Sequence, residues 1–156
     1  MVSDDELMAE ALEQARQGLA RGEVPIGAVV AVGGEIVARA FNQPISACDP
    51  TAHAEIVALR MAARAVGNYR LTGAVVCVTV EPCLMCVGAL VHARIGTLVY
   101  GAPEPRWGAV SSLVSITDVP HNHRFAVTAG VREAECRALV QGFFKDRRGE
   151  ERGSKK

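Results

Sequence analysis

Strands alternating with helical segments predict a layered α/β domain in which helices pack on a mixed central sheet. Three observations carry this reading. The chain opens on an amphipathic segment, continues through two apolar runs joined by a glycine pair, and then repeats the order of helical periodicity followed by a short apolar run. At 156 residues the chain is long enough for one domain with a proper core, so residues 1–156 are read as a single domain.

Taken in order, Leu7, Met8, Ala11, Leu12, Ala15 and Leu19 recur at helical spacing, and Gly18 and Gly22 close that region. Ala28 to Val32 and Glu35 to Ala40 read as strands of a hairpin, because Gly33-Gly34 tolerates the positive φ of a tight turn. A loop through Asn42, Pro44 and Cys48 follows. Asp49-Pro50 then predicts a helix start, with Asp as N-cap and Pro at the first helical position, and the helix continues through Ile56, Leu59 and Ala63 toward Gly67. Ala74 to Val80 is a continuous β-branched, apolar run, as expected of a strand buried on both faces. Glu81-Pro82 predicts the next helix, with Leu84, Val87, Leu90 and Val91 on its apolar face, and Thr97 to Tyr100 a further strand.

Ala102 to Arg124 reads as irregular, and stretches of that length in compact domains are usually functional or mobile, which makes this one a candidate substrate wall. Phe125 to Ala129 predicts a last strand, and Val131, Glu135, Leu139, Val140 and Phe143 a C-terminal helix. From about Lys145 the helix and tail are basic: Lys145 to Lys156 holds six basic residues against three acidic. Such a tail is commonly a solvated helix end and less commonly a phosphate contact.

Composition excludes little beyond this. Lysine plus arginine equals aspartate plus glutamate at 17 each, so overall charge points to no particular partner. The start, Met1-Val2-Ser3-Asp4-Asp5-Glu6, is acidic and unlike a secretory signal, and no apolar run approaches the roughly 20 residues of a membrane span. A cytoplasmic protein is expected, and in that compartment cysteines stay reduced, so Cys-x-x-Cys reads as a metal or redox motif.

The chemistry lies in two short segments. His53, in Thr51-Ala52-His53-Ala54-Glu55, and Cys83 with Cys86, in Glu81-Pro82-Cys83-Leu84-Met85-Cys86, make a set of three zinc ligands. Three protein ligands leave a coordination position for water, as in a catalytic zinc, whereas structural zinc is normally closed by four. Both segments fall at predicted helix starts, where unpaired N–H groups favour the thiolate that zinc requires. Glu55 places an acid/base group beside that position. By itself Cys-x-x-Cys also occurs in thiol-disulfide exchange proteins and zinc ribbons, but Cys48, Cys77 and Cys136 are isolated and supply no second pair. His92 and His121 lack such company and are read as ordinary histidines.

His-x-Glu followed by Pro-Cys-x-x-Cys resembles the signature of the zinc-dependent nucleobase deaminases. The resemblance spans about Glu23 to Arg148, including Glu23-Val24-Pro25-Ile26-Gly27-Ala28, Asn42 with Pro44, Asn68-Tyr69-Arg70-Leu71, Arg94-Ile95, Tyr100-Gly101-Ala102, Asn122-His123-Arg124 and Phe143-Phe144. Asn42 in Asn-x-Pro, Asn-His-Arg and the paired Phe before the basic tail look like the tRNA-acting branch. What the resemblance implies is a three-layer α/β/α cytidine-deaminase-like fold with a five-stranded mixed sheet, one zinc per subunit and a homodimer. It also implies hydrolytic conversion of adenosine to inosine at the wobble position of a tRNA anticodon loop. Glu55 would then be the catalytic proton shuttle, Asn42 and the Ala54 backbone would hold the base, and Phe144 would stack on a neighbouring base while Lys145, Arg147 and Arg148 meet phosphates. Phe143 is read as core or interface. A deaminase of a free nucleobase or nucleoside, such as guanine or cytosine, and a non-catalytic zinc-bearing tRNA-binding subunit are the alternatives. The sequence departs from the resembled pattern at Pro103-Glu104-Pro105-Arg106-Trp107, where Asp more often replaces Glu104 and a small residue Trp107.

Overall fold

The hairpin forms where the glycine pair allows it: β1 (Gly27–Val32) and β2 (Glu35–Phe41) meet through Gly33 and Gly34, both at positive φ (61° and 83°). Three more strands complete one sheet, β3 (Val75–Val80), β4 (Thr97–Ala102) and β5 (Ala126–Thr128), in the order β2-β1-β3-β4-β5. β1 runs antiparallel to β2 and β3, while β3, β4 and β5 are parallel, so the expected mixed sheet of five strands is present. The structure, a computed structural model, describes residues 1–154 and side chains as far as Glu150; Lys155 and Lys156 of the basic tail lie outside the described residues.

Helices cover both faces. α1 (Asp4–Ala20) begins at Ser3, whose hydroxyl accepts the Glu6 N–H at 3.1 Å, and acidic residues fill its first turn as the helix dipole favours. Its apolar stripe, Leu7, Met8, Ala11 and Leu12, packs on Val29, Ala31, Cys77 and Val99, together with Cys136 of the long C-terminal helix. The alternate residues of the same strands, Ala28, Val30, Val76, Val78, Leu98 and Tyr100, face the opposite layer. Period-two alternation thus sends each central strand into two cores at once, which explains the unbroken apolar run seen in β3.

The second layer holds α3 (Ala54–Val66) and α4 (Leu84–Ala93), the short α2 (Pro44–Ala47) precedes them, and α5 (Glu133–Ser154) closes the chain. Leu90 of α4 is completely buried, and such burial contributes about 1.5–3 kcal/mol. Among the described residues no helix is long and apolar enough to cross a membrane.

Two helix starts fall later than the sequence suggests. Asp49 does not cap a helix: its carboxylate accepts the Thr51 N–H and hydroxyl, both at 2.8 Å, which makes a local turn. An Asp side chain competes in this way with helix nucleation, and α3 begins only after His53. Likewise α4 begins after Cys83, not at Glu81-Pro82. The loop through Asn42 and Pro44 contains α2, whose four residues are too few to show periodicity. The stretch from Pro103 to Phe125 is irregular apart from a single 3-10 turn at Ile116–Asp118, as expected.

Candidate metal centre and active-site cavity

The shifted boundaries place His53 and Cys83 at the same position of two different helices, the N-cap. Both have extended backbone (ψ 154° and 175°) and neither side chain caps its own helix. Each is therefore free to turn toward the other. Cys83 follows the end of β3 by three residues, so both helix starts meet beyond the carboxyl end of that strand, where open α/β sheets commonly bind ligands. Cys86 lies three residues further into α4 and is fully buried.

His53 Nδ1 stands 3.6 Å from Cys83 Sγ and 3.5 Å from Cys86 Sγ, and the three donor atoms all lie within 4.8 Å of one another. Ligands about 2.0–2.3 Å from one zinc at tetrahedral angles are about 3.5–3.8 Å apart. The spacings match the edges of a zinc coordination tetrahedron, and the donor set of one imidazole and two thiols suits the same ion. Among the described residues no other group of three such side chains converges.

The metal-free electrostatics fit a ligand set. Cys83 is lowered to about 4, first by the Cys86 side chain and, against burial, also by His53. Cys86 is held up, first by Cys83 and then by burial; zinc would bind both sulfurs as thiolates, which makes its affinity depend on pH. His53 is raised, first by its contact with Cys83. Cys77 and Cys136 differ: both are buried and both thiols are raised by that burial, Cys136 to about 11. They are inert thiols.

Glu55, second residue of α3, is buried, and burial raises its carboxyl above the usual range. His53, Glu55 and Cys83 line one cavity of about 660 Å³, within the range of small-molecule sites. Asn42 and Phe144 line it too. Asn42 is held in place by its neighbours: its N–H donates to the Ile26 carbonyl and the Gln43 N–H to the Ala52 carbonyl, each at 2.9 Å. Asn42 is buried, yet it lines the cavity. Phe143 is half-buried and meets Phe144 edge to face at 5.3 Å, with the Arg147 guanidinium 5.6 Å from its ring centroid. Ala54 is buried at the start of α3 and, like Cys86, does not line the cavity.

Two buried carboxylates support these walls; both stand in motifs quoted above, which assign neither of them a role. Glu23 accepts the Ser46 N–H and hydroxyl at 2.7 and 2.6 Å and the Ile45 N–H at 3.3 Å, which fixes α2 beside Asn42. Burial alone would raise its pKa, but the Ser46 hydroxyl and the two N–H groups outweigh it and hold the carboxyl below the ordinary range. Glu81 accepts the N–H groups of Glu104, Val110, Ser111 and Ser112 and the Ser112 hydroxyl. The signal available in sequence was an acidic residue closing an apolar strand, which on its own reads as an exposed loop residue.

The Glu23 contact makes stability depend on acid pH. A carboxyl whose folded pKa is depressed contributes in full above its unfolded pKa, and that contribution is lost as pH falls through the folded value. Thermal denaturation of Glu23→Gln and of the native sequence is expected to show a midpoint gap at pH 7 that narrows steadily below the ordinary glutamate pKa. A gap unchanged down to strongly acid pH would show that the charge contributes nothing.

Residues 1–102 match the model of the cytidine and deoxycytidylate deaminase zinc-binding region. The chain belongs to this family of zinc-binding deaminases. It is 39% identical to the tRNA-specific adenosine deaminase of Bacillus subtilis (strain 168), over all of this chain and 98% of that one. To the protein of the same name from Haemophilus influenzae it is 43% identical, over 96% of this chain and 87% of that one. Among solved structures, one from work on A-to-I editing by tRNA:A34 deaminases at the wobble position superimposes with a TM-score of 0.84 at 45% identity, covering 85% of this chain and 97% of the other.

Proposed function

We propose that this chain deaminates adenosine to inosine in transfer RNA, at the wobble position of the anticodon loop, as a cytoplasmic homodimer. One observation carries the reading: three zinc ligands converge, and two of them, His53 and Cys83, line a single cavity with a buried carboxylate, an amide and an aromatic ring. The identity of 39% and 43% to tRNA-specific adenosine deaminases over nearly the whole chain supports adenosine in tRNA as the substrate.

His53, Cys83 and Cys86 would hold the zinc, which when bound supplies a water whose pKa falls from about 15.7 toward 7. Glu55 then does the proton work. Its carboxylate takes a proton from the attacking water and delivers it to N1 of adenine as the new C6–O bond forms. It next carries the proton of the new C6 hydroxyl to the C6 amino group, the C6–N bond breaks as the C6 carbonyl forms, ammonia leaves and inosine remains. Burial of Glu55 keeps bulk water from competing for that proton. Asn42 offers an amide with donor and acceptor for the base edge; the Ala54 backbone, a further contact by resemblance, lies behind the cavity wall at the helix start. Phe144 gives a stacking surface for a neighbouring base, and Lys145, Arg147 and Arg148 follow it on α5 as phosphate partners. A base must leave its stack to reach so recessed a carboxylate, and that costs least in a single-stranded loop.

The test is product analysis. Zinc-loaded protein is incubated with an anticodon stem-loop carrying adenosine at the wobble position and, separately, with free adenosine, adenine, guanine and cytosine. Inosine confined to the stem-loop is the expected result. Ammonia released only from a free base would replace this reading with a free-base deaminase, and tight RNA binding without any product with a non-catalytic subunit.

A further inference from the structure

Trp107 is the single tryptophan of the chain and is two-thirds exposed (67%), yet it lines the same cavity as His53 and Glu55. The turn that carries it is held from several sides. Gly108, next in sequence, pairs through its backbone with Cys83, and the Ala109 N–H donates to the Pro82 carbonyl at 2.8 Å. On either side of the ring, the N–H groups of Glu104 and Val110 converge on the buried Glu81 carboxylate at 3.1 and 3.0 Å. A Cβ at position 108 would run into that carboxylate, so only glycine lets the turn approach this closely. The ring is thus one residue away from a backbone pairing with a zinc ligand, and it is not on a loose loop.

An indole held open to solvent leaves a large apolar surface unburied, which calls for an occupant. The cavity indicates which one. Its polar lining includes His53, Glu55, Asn42, Cys83, Glu81 and Glu104, while Trp107, Leu113, Val114 and Phe144 give it a broad apolar wall. Arg106, the preceding residue, is exposed and gives the same turn a cation. A flat base attached to an anionic backbone matches both features. Resting on the RNA reading above, we propose that Trp107 stacks on a nucleobase adjacent to the adenine being deaminated and so contributes to substrate binding and sequence context.

With one tryptophan in the chain, intrinsic fluorescence reports this ring alone. Titrating the zinc-loaded protein with the wobble-adenosine stem-loop is expected to quench the emission saturably, in step with binding followed by anisotropy of labelled RNA. Free adenosine is expected to leave the emission unchanged. Trp107→Ala should raise KM for the stem-loop about five- to a hundredfold with little change in kcat, and Trp107→Phe should restore most of the loss. Zinc content should be the same in all three proteins. If the native protein makes inosine in the stem-loop while its emission is unmoved and Trp107→Ala keeps its KM within twofold, stacking by Trp107 is refuted and the deaminase reading stands. If no RNA is deaminated at all, both fall. If emission instead follows protein concentration and Trp107→Ala lowers the oligomeric mass, a second copy of the chain covers the ring and the proposal is overturned.

Discussion

Replacing Glu55 by alanine is expected to leave one zinc per chain and to reduce stem-loop deamination by about a hundred- to ten-thousandfold, the range typical of a positioned acid/base group. The expectation follows from position. Glu55 is two residues from His53 on the first turn of α3, so its carboxylate reaches the cavity without belonging to the converging donor set. Its loss removes the proton carrier while His53, Cys83 and Cys86 keep their places. Metal analysis of the purified variant beside an inosine assay separates the two roles. Turnover within tenfold of the native protein would take Glu55 out of the mechanism.

The second large effect is expected at Cys86. Cys86→Ala should weaken zinc binding by more than the 10- to 100-fold typical of an outer-shell partner, and deamination should vanish with the metal. Cys136→Ala is the matched control, because Cys136 is equally buried but stands apart from the ligand group and packs from α5 onto α1 and the sheet. It should keep its zinc and lose only some thermal stability. Measuring zinc per chain in both variants decides the matter, since a Cys86→Ala protein that purifies with a full complement of metal must complete its coordination elsewhere.

What was legible in the sequence was whatever depends on near neighbours. Gly33-Gly34 announced the hairpin through its φ requirement, Val75 to Val80 announced a doubly covered strand through its unbroken apolar run, and the three ligands announced themselves through residue type and spacing. The layered architecture followed from these. Asp49-Pro50 misled because an Asp before a proline satisfies both a helix cap and a local turn, and the choice was made by the Thr51 hydroxyl and N–H. Glu81 was opaque for another reason. Its partners lie 23 to 31 residues away in the chain, and no periodicity encodes a contact formed only once the irregular stretch folds back over β3. Glu23, which fastens α2 from 22 and 23 residues away, was hidden in the same manner. α5 itself runs on through the basic segment from about Lys145 to Ser154, where an apolar stripe no longer marks it.

His53 and Cys83, each sitting just ahead of its helix with a side chain unused by that helix, give the metal a mounting independent of what surrounds the opening. The reacting machinery is anchored at the starts of two helices, whereas the stretch from Pro103 to Val114 is fastened chiefly through main-chain groups that, Gly108 apart, do not depend on side-chain identity. Selection can therefore rewrite the clientele without disturbing the catalyst. Exchanging that stretch between relatives, with Glu81 and Gly108 retained, is the economical route to a new preference.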